Sequence, residues 1–285
     1  MADMYSKPPL SILKLTNWYL YRLKAVVAVE FPLVRIDDAP ATAEYVHSRI
    51  PPVVHQTWSS NRLGKTHARQ IARFRRLNPQ LSFRLYDDAQ MNAYMQERWS
   101  GHPIYDIYLR ARYAQLATDI FRYCLIYERG GFYFDISKGL RAPICSLLRE
   151  DSTGLISYEQ RLSPAAEPGA GAGDNPYRDN IVAQYGFGFA PAHPLLRIVI
   201  DKICESYPDF KGAVVAKPKQ AILRFTGPDM FTDALRLYVS TTQDTGLVEA
   251  GVDFNGEAIW NMKGSYVRFF STPPYKYALS DAIVD

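Results

Sequence analysis

With 285 residues, 47% hydrophobic content and a formal net charge of +4, the chain can bury one large core and is too weakly basic to carry a nucleic-acid-binding signature. Cys124, Cys145 and Cys204 are odd in number, widely spaced and set among apolar residues, which argues against a disulfide framework or a zinc site and for a reducing compartment. No stretch reaches the roughly 18 uninterrupted apolar residues of a membrane-spanning helix.

Residues 1–35 are expected to form a helical N-terminal segment. Between Leu10 and Val34 it sets Leu10, Leu13, Trp18, Tyr21 and Val29 beside Lys14, Arg22 and Lys24. That mixture suits a membrane interface and equally a helix packed on the domain or on a second copy. No small-residue cleavage site follows, so it does not read as a secretory signal. Residues 36–49 read as a polar connector, and residues 50–285 as a catalytic domain.

The domain opens on Ile50-Pro51-Pro52 and a strand ending at His55-Gln56-Thr57-Trp58, because prolines stand at the entry of a ladder and not inside it. Thr66 to Leu77 has helical spacing, with Arg69, Arg73, Arg75 and Arg76 expected on a solvated face, and Asn78-Pro79 ends it. Leu81 to Tyr86 alternates as a strand. Asp87-Asp88 then caps a helix over Ala89 to Arg98. Strands alternating with helices predict a mostly parallel sheet.

The stretch from Tyr113 to Ser137 holds the densest chemistry. Tyr113, Leu116, Ala117, Ile120, Tyr123, Cys124 and Tyr127 recur with helical period, which puts Asp119 and Arg122 on one polar face with Gln115 a turn earlier. A charged pair on so apolar a helix needs a partner or a purpose. Gly130-Gly131 stops the helix. Phe132 to Ile136 follows as a buried strand delivering Asp135 to its C-terminal end, where open α/β sheets place ligand chemistry. Leu155 to Tyr158 reads as a further strand, Ser163 to Asp174 as a loop with the composition of a lid, and Leu195 to Tyr207, after Asn180 to Ala190 and Pro191-Ala192-His193-Pro194, and Asp229 to Val239 as helices.

The succession Asp119, Arg122-Tyr123, Gly130-Gly131 and Tyr133-Phe134-Asp135-Ile136-Ser137 resembles the DXD-containing sugar transferases of glycosyltransferase family 32. Their relatives include yeast initiating mannosyltransferases, bacterial capsule enzymes and, more distantly, the glucosylating clostridial toxins. Ile50-Pro51 with His55-Gln56 and Trp58 resembles the opening of the same family, and Asn261-Met262-Lys263-Gly264-Ser265-Tyr266 a variant of its closing segment. Ser137 stands where the second Asp of the motif belongs.

The resemblance implies a GT-A-like, Rossmann-type nucleotide-sugar transferase fold of the α/β class with a mixed, mostly parallel sheet. It implies a retaining transfer of a hexose from a UDP- or GDP-sugar to a hydroxyl of a glycan or glycolipid. The alternative is a nucleotide-sugar-binding subunit of a polysaccharide-assembly complex that has lost activity. Under the resemblance Asp135, Asp119 and Arg122 are catalytic. Gln56, Thr57, Trp58, Gln115, Tyr133, Ser137, Lys138, Ser265 and Tyr266 hold the donor. Asp135 and Asn261 take Mn²⁺ or Mg²⁺, weakly until the donor arrives. No nucleic-acid partner is expected, and the expected location is cytoplasmic, peripheral at a membrane if residues 10–34 are the interfacial helix and not a packing one.

Overall fold

The computed structural model describes residues 16–17, 19–20, 31–45, 48–164, 176–262 and 278–285. Most of the N-terminal segment, the interior of the Ser163–Asp174 loop and the closing residues Lys263, Ser265 and Tyr266 therefore lie outside the described residues.

A seven-stranded sheet forms the centre: β1 (Val53–Thr57), β2 (Ser82–Tyr86), β3 (Gly131–Phe134), β4 (Gly154–Leu162), β5 (Asn180–Val182), β6 (Gly186–Phe189) and β7 (Leu247–Val252). Its order is β7-β4-β6-β3-β1-β2, with β5 paired to β4. β1 is parallel to both β2 and β3, and β7 to β4, whereas β6 runs antiparallel to β3 and β4. Along the main path only β6 is reversed, so the sheet is mixed and mostly parallel, as expected.

Helices cover both faces. One core gathers α2 (Asp88–Trp99), α3 (Pro103–Leu109), α4 (Ala114–Arg129), α5 (Pro194–Phe210), α6 (Pro218–Phe225) and α7 (Pro228–Thr241). The other packs α1 (Lys65–Leu77) and residues 248–262 beneath the sheet. The two-residue period of β3 sends Tyr133 to the first core and Phe132 and Phe134 to the second. Asn78 locks the end of α1 from within: its amide donates to Phe74 O at 2.9 Å and accepts from Ile144 N at 2.7 Å.

α4 is buried almost throughout from Leu116 to Ile126, and Gly130 ends it at φ 65°. Gly131, at φ 97°, has no room for a side chain, since a Cβ there would sit 2.7 Å from Val53 O. Close approach also governs β6, where a Cβ on Gly188 would meet the Phe132 ring at 2.3 Å. The chain thus turns from helix to strand in two residues and places Asp135 immediately beyond β3.

Several elements differ from the sequence expectation. β4 runs four residues past Tyr158 to Leu162, and the stretch 180–190 divides into β5 and β6. α3, α6 and the edge strand β7 are not among the expected elements, although Pro218, Ala221, Ile222 and Phe225 of α6 are buried at helical spacing. Arg75 is not on the solvated face of α1; it lies 5.4 Å over the Phe83 ring and donates to Asp37 O at 2.7 Å. Within the segment read as a connector, Ile36 is buried in the second core and Ala39 exchanges backbone hydrogen bonds with Phe83.

Candidate active site

The parallel pairing of β1 and β3, with His55 opposite Tyr133, sets Thr57 and Trp58 beside Asp135 at the C-terminal ends of the strands. The Thr57 and Tyr133 hydroxyls share a hydrogen bond of 2.9 Å. Tyr133, expected at the donor, is fully buried, and its ring supports the Arg122 guanidinium at 4.4 Å. Such a cation over an aromatic face is held both electrostatically and by packing.

Arg122 is the hub. One of its terminal nitrogens lies 3.3 Å from Asp119 Oδ1 and 3.3 Å from Asp135 Oδ1, and the other donates to Gln184 O at 3.1 Å. Asp119 takes a second hydrogen bond, from the Thr226 hydroxyl at 3.0 Å. Gln184 closes the circuit by donating to the Tyr123 hydroxyl and to Thr226 O. The side chains of Asp119 and Arg122 are only 8% exposed, whereas that of Asp135 is 34% exposed. Asp135 is therefore the acidic group of this cluster that a ligand can reach.

Burial pushes the Asp119 carboxyl up, against the pull of Arg122 and the Thr226 hydroxyl. For Arg122 burial acts downward, but Tyr133, Asp135 and Asp119 more than offset it, and the guanidinium stays firmly charged. Two buried nitrogens, Gln56 Nε2 and Arg122 Nε, have no hydrogen-bond partner among the described residues. Unsatisfied donors at a site are groups that a ligand oxygen can complete.

Around Asp135 the backbone is tied on both sides. Its N–H donates to Tyr185 O at 2.8 Å, and its carbonyl accepts from Lys138 N at 2.8 Å. Ser137 is buried, and its carbonyl accepts from Met262 N at 2.7 Å, next to the exposed Asn261. The Lys138 ammonium rests over the rings of Tyr185 (4.9 Å) and Trp260 (4.5 Å). Gln115 is half-buried on the face of α4 that carries Asp119. Trp58 is half-buried against the second core, and its backbone N–H donates to Tyr86 O.

Sequence reading did not single out Gln184, Thr226 as an Asp119 partner, or Trp260. Gln184 and Thr226 lie over 60 and 100 residues from Arg122 and Asp119, and no local spacing signals them. Trp260 had one available signal, its place next to Asn261.

His55 is structural, with Nδ1 3.2 Å from the Tyr86 hydroxyl. Burial pulls its imidazole down to about 3, with Gly130 opposing and Arg84 and Arg129 reinforcing. A folded pKa below the unfolded value means that the unfolded chain is protonated first as pH falls. The stability that neutral His55 contributes is full above about pH 6.5 and is lost at roughly 1.4 kcal/mol per pH unit down toward pH 3. His55→Gln removes this titration, so its stability deficit relative to wild type is expected to shrink by about 2 kcal/mol between pH 6.5 and 5. Urea unfolding at the two pH values measures it. A deficit independent of pH would show that His55 is not held neutral.

Residues 64–154, which carry α1 through the start of β4 and include Asp119, Arg122 and Asp135, match a family described as the glycosyltransferase sugar-binding region containing DXD motif. Within the matched residues the acidic motif is the variant Asp135-Ile136-Ser137. Among curated proteins the chain is 29% identical over 127 residues to inositol phosphoceramide mannosyltransferase 1 of Schizosaccharomyces pombe, covering 43% of this chain and 38% of the relative. It is 26% identical over 204 residues to the initiation-specific alpha-1,6-mannosyltransferase of the same yeast, covering 68% of this chain and 50% of the relative. The chain thus spans half or less of the length of these relatives. Among solved structures, the PaToxG glycosyltransferase aligns over 80% of each chain at 16% identity, with a TM-score of 0.46.

Proposed function

We propose that the chain is a retaining hexosyltransferase that moves a sugar, mannose first among the candidates, from a nucleotide sugar to a hydroxyl of a glycan or glycolipid. The observation that carries this reading is Arg122 bridging buried Asp119 and accessible Asp135 within the sugar-binding region. The mannosyltransferase names of the two yeast relatives support mannose.

The residues divide by reach. Asp119 acts through Arg122, because both of its oxygens are already engaged. Arg122 fixes the Asp135 carboxylate and supplies positive charge where a diphosphate would sit. Trp58, at the end of β1, is placed to stack on the nucleotide base, and Trp58→Ala is expected to weaken nucleotide binding by roughly 1 to 3 kcal/mol. Unchanged calorimetric affinity would assign Trp58 to the core alone.

A divalent cation fits this donor set only in part. Asp135 is its one strong ligand, Ser137 and Asn261 are neutral, and among the described residues no group of three or more His, Cys, Asp or Glu is arranged to hold a metal. Asp135 and Asn261 would hold Mn²⁺ or Mg²⁺ with the remaining oxygens coming from diphosphate and water. When bound, the ion supplies further positive charge for the leaving diphosphate. Ser137→Asp is therefore expected to lower the Mn²⁺ concentration for half-maximal activity several-fold. An unchanged requirement would place the ion elsewhere.

Incubation with UDP-glucose, UDP-galactose and GDP-mannose in saturating Mn²⁺, reading released nucleoside diphosphate with and without acceptor, tests the function. Release from one donor is expected. Stabilisation against heat by a donor without release would favour a binding subunit, a reading that Ser137 in the second acidic position supports. Neither release nor stabilisation by any nucleotide sugar would overturn both.

A further inference from the structure

α1 contains five basic residues, Lys65, Arg69, Arg73, Arg75 and Arg76, and no acidic one. Arg75 turns inward. The other four fall within an arc of about 80° at the 100° per residue of an α-helix, and span about 16 Å of its length. Arg69, Arg73 and Arg76 are exposed and Lys65 is partly so, and among the described residues none of the four forms a salt bridge.

The same face carries apolar surface. A shallow groove of about 520 Å³ is lined by Val34, Ala68 and Ala72 between Lys65 and Arg69. Val34 is held there by pairing with Leu63, and is 37% exposed. Phe31, three residues before it, is 44% exposed. Asp37, three residues after Val34, is already paired with Arg35. The face thus combines a one-signed stripe of cations with a small apolar floor.

We infer that this face of α1, together with Val34, docks on an anionic lipid surface. Phospholipid headgroups meet the stripe, and the Val34–Ala72 floor takes the apolar contact that an interface offers and a nucleic-acid backbone does not. Its position suits the proposed chemistry. His67, in the first turn of α1, bonds Ile136 O at 2.7 Å, so the stripe begins beside Asp135 and a docked bilayer would lie alongside the site. The inference deepens the proposed function by making the acceptor lipid-borne, but its test needs neither donor nor acceptor.

Flotation of the full chain with phosphatidylcholine vesicles, with and without phosphatidylserine and at low and high salt, provides that test. Binding is expected only with phosphatidylserine and is expected to fall with salt. Reversal of Arg69, Arg73 and Arg76 to Glu is expected to weaken it by about 100-fold or more, since each basic residue at such a surface contributes roughly five-fold. Reversal of Lys211, Lys217 and Lys219 to Glu makes the same change in net charge elsewhere and is expected to have far less effect. Arg69→Gln, Arg73→Gln and Arg76→Gln together give a milder loss in a chain without new charges, and circular dichroism confirms that each variant is folded. Equal loss in both reversal variants, no loss in the α1 variant, or tighter binding to a fluorescent RNA or DNA duplex at the same salt would overturn the inference. Nucleoside diphosphate release from a soluble acceptor is read separately, so failure here leaves the transferase reading standing.

Discussion

Asp135→Ala is expected to reduce sugar transfer by at least 100- to 1,000-fold, the scale on which single groups stabilising charge in a transition state act. Stability should change by no more than about 1 kcal/mol, because the side chain is one-third exposed and Arg122 keeps its pairing with Asp119. Initial rates at saturating donor, set beside thermal melting, separate the two effects. The same loss should appear in Asp135→Asn, which preserves shape and removes only charge. Wild-type turnover in either variant would remove Asp135 from the chemistry.

Arg122→Met should act in the opposite proportion on the fold. It removes the cation that lies between two carboxylates and over Tyr133, and leaves Asp119 buried without its counter-charge. Breaking a buried pair from one side costs roughly 3 to 5 kcal/mol, which for a chain of this size lowers Tm by about 10 °C. Adding Asp119→Asn to Arg122→Met should restore part of that loss, because the stranded carboxyl is gone. The double variant should remain inactive. A single variant melting within about 2 °C of wild type would mean that the cluster contributes little to folding.

How much of this was legible in the sequence follows from the range of each interaction. The α4–Gly130-Gly131–β3 unit was readable because helix period, glycine stop and strand are all local, and so was the Asp87 cap, though not its reciprocal partner Gln90. Ser137 was visible as a departure, and its docking to Met262 was foreshadowed by the closing segment. The reversed strand β6 was not: Gly186-Phe187-Gly188-Phe189 has glycine where a strand ordinarily has side chains, and only the neighbouring Phe132 and Phe134 rings explain why. Arg75 illustrates the same limit on a helix, since composition cannot say which of several arginines lies against an aromatic ring. The buried circuit through Gln184 and Thr226 is tertiary, and short polar residues in loops announce nothing about the partner they will meet.

That circuit has a consequence for the order in which the protein is made. Arg122 and Asp119 leave the ribosome about 100 residues before Thr226, and Ser137 more than 120 residues before Met262. At roughly 5 to 20 residues per second, the charged heart of α4 waits on the order of 5 to 20 seconds for the polar groups that complete it. During that interval a helix destined for burial presents an arginine and an aspartate that have each other and Asp135 but still lack Gln184 and Thr226. Translation speed between codons 122 and 226 therefore sets how long this half-built centre is exposed to chaperones and proteases.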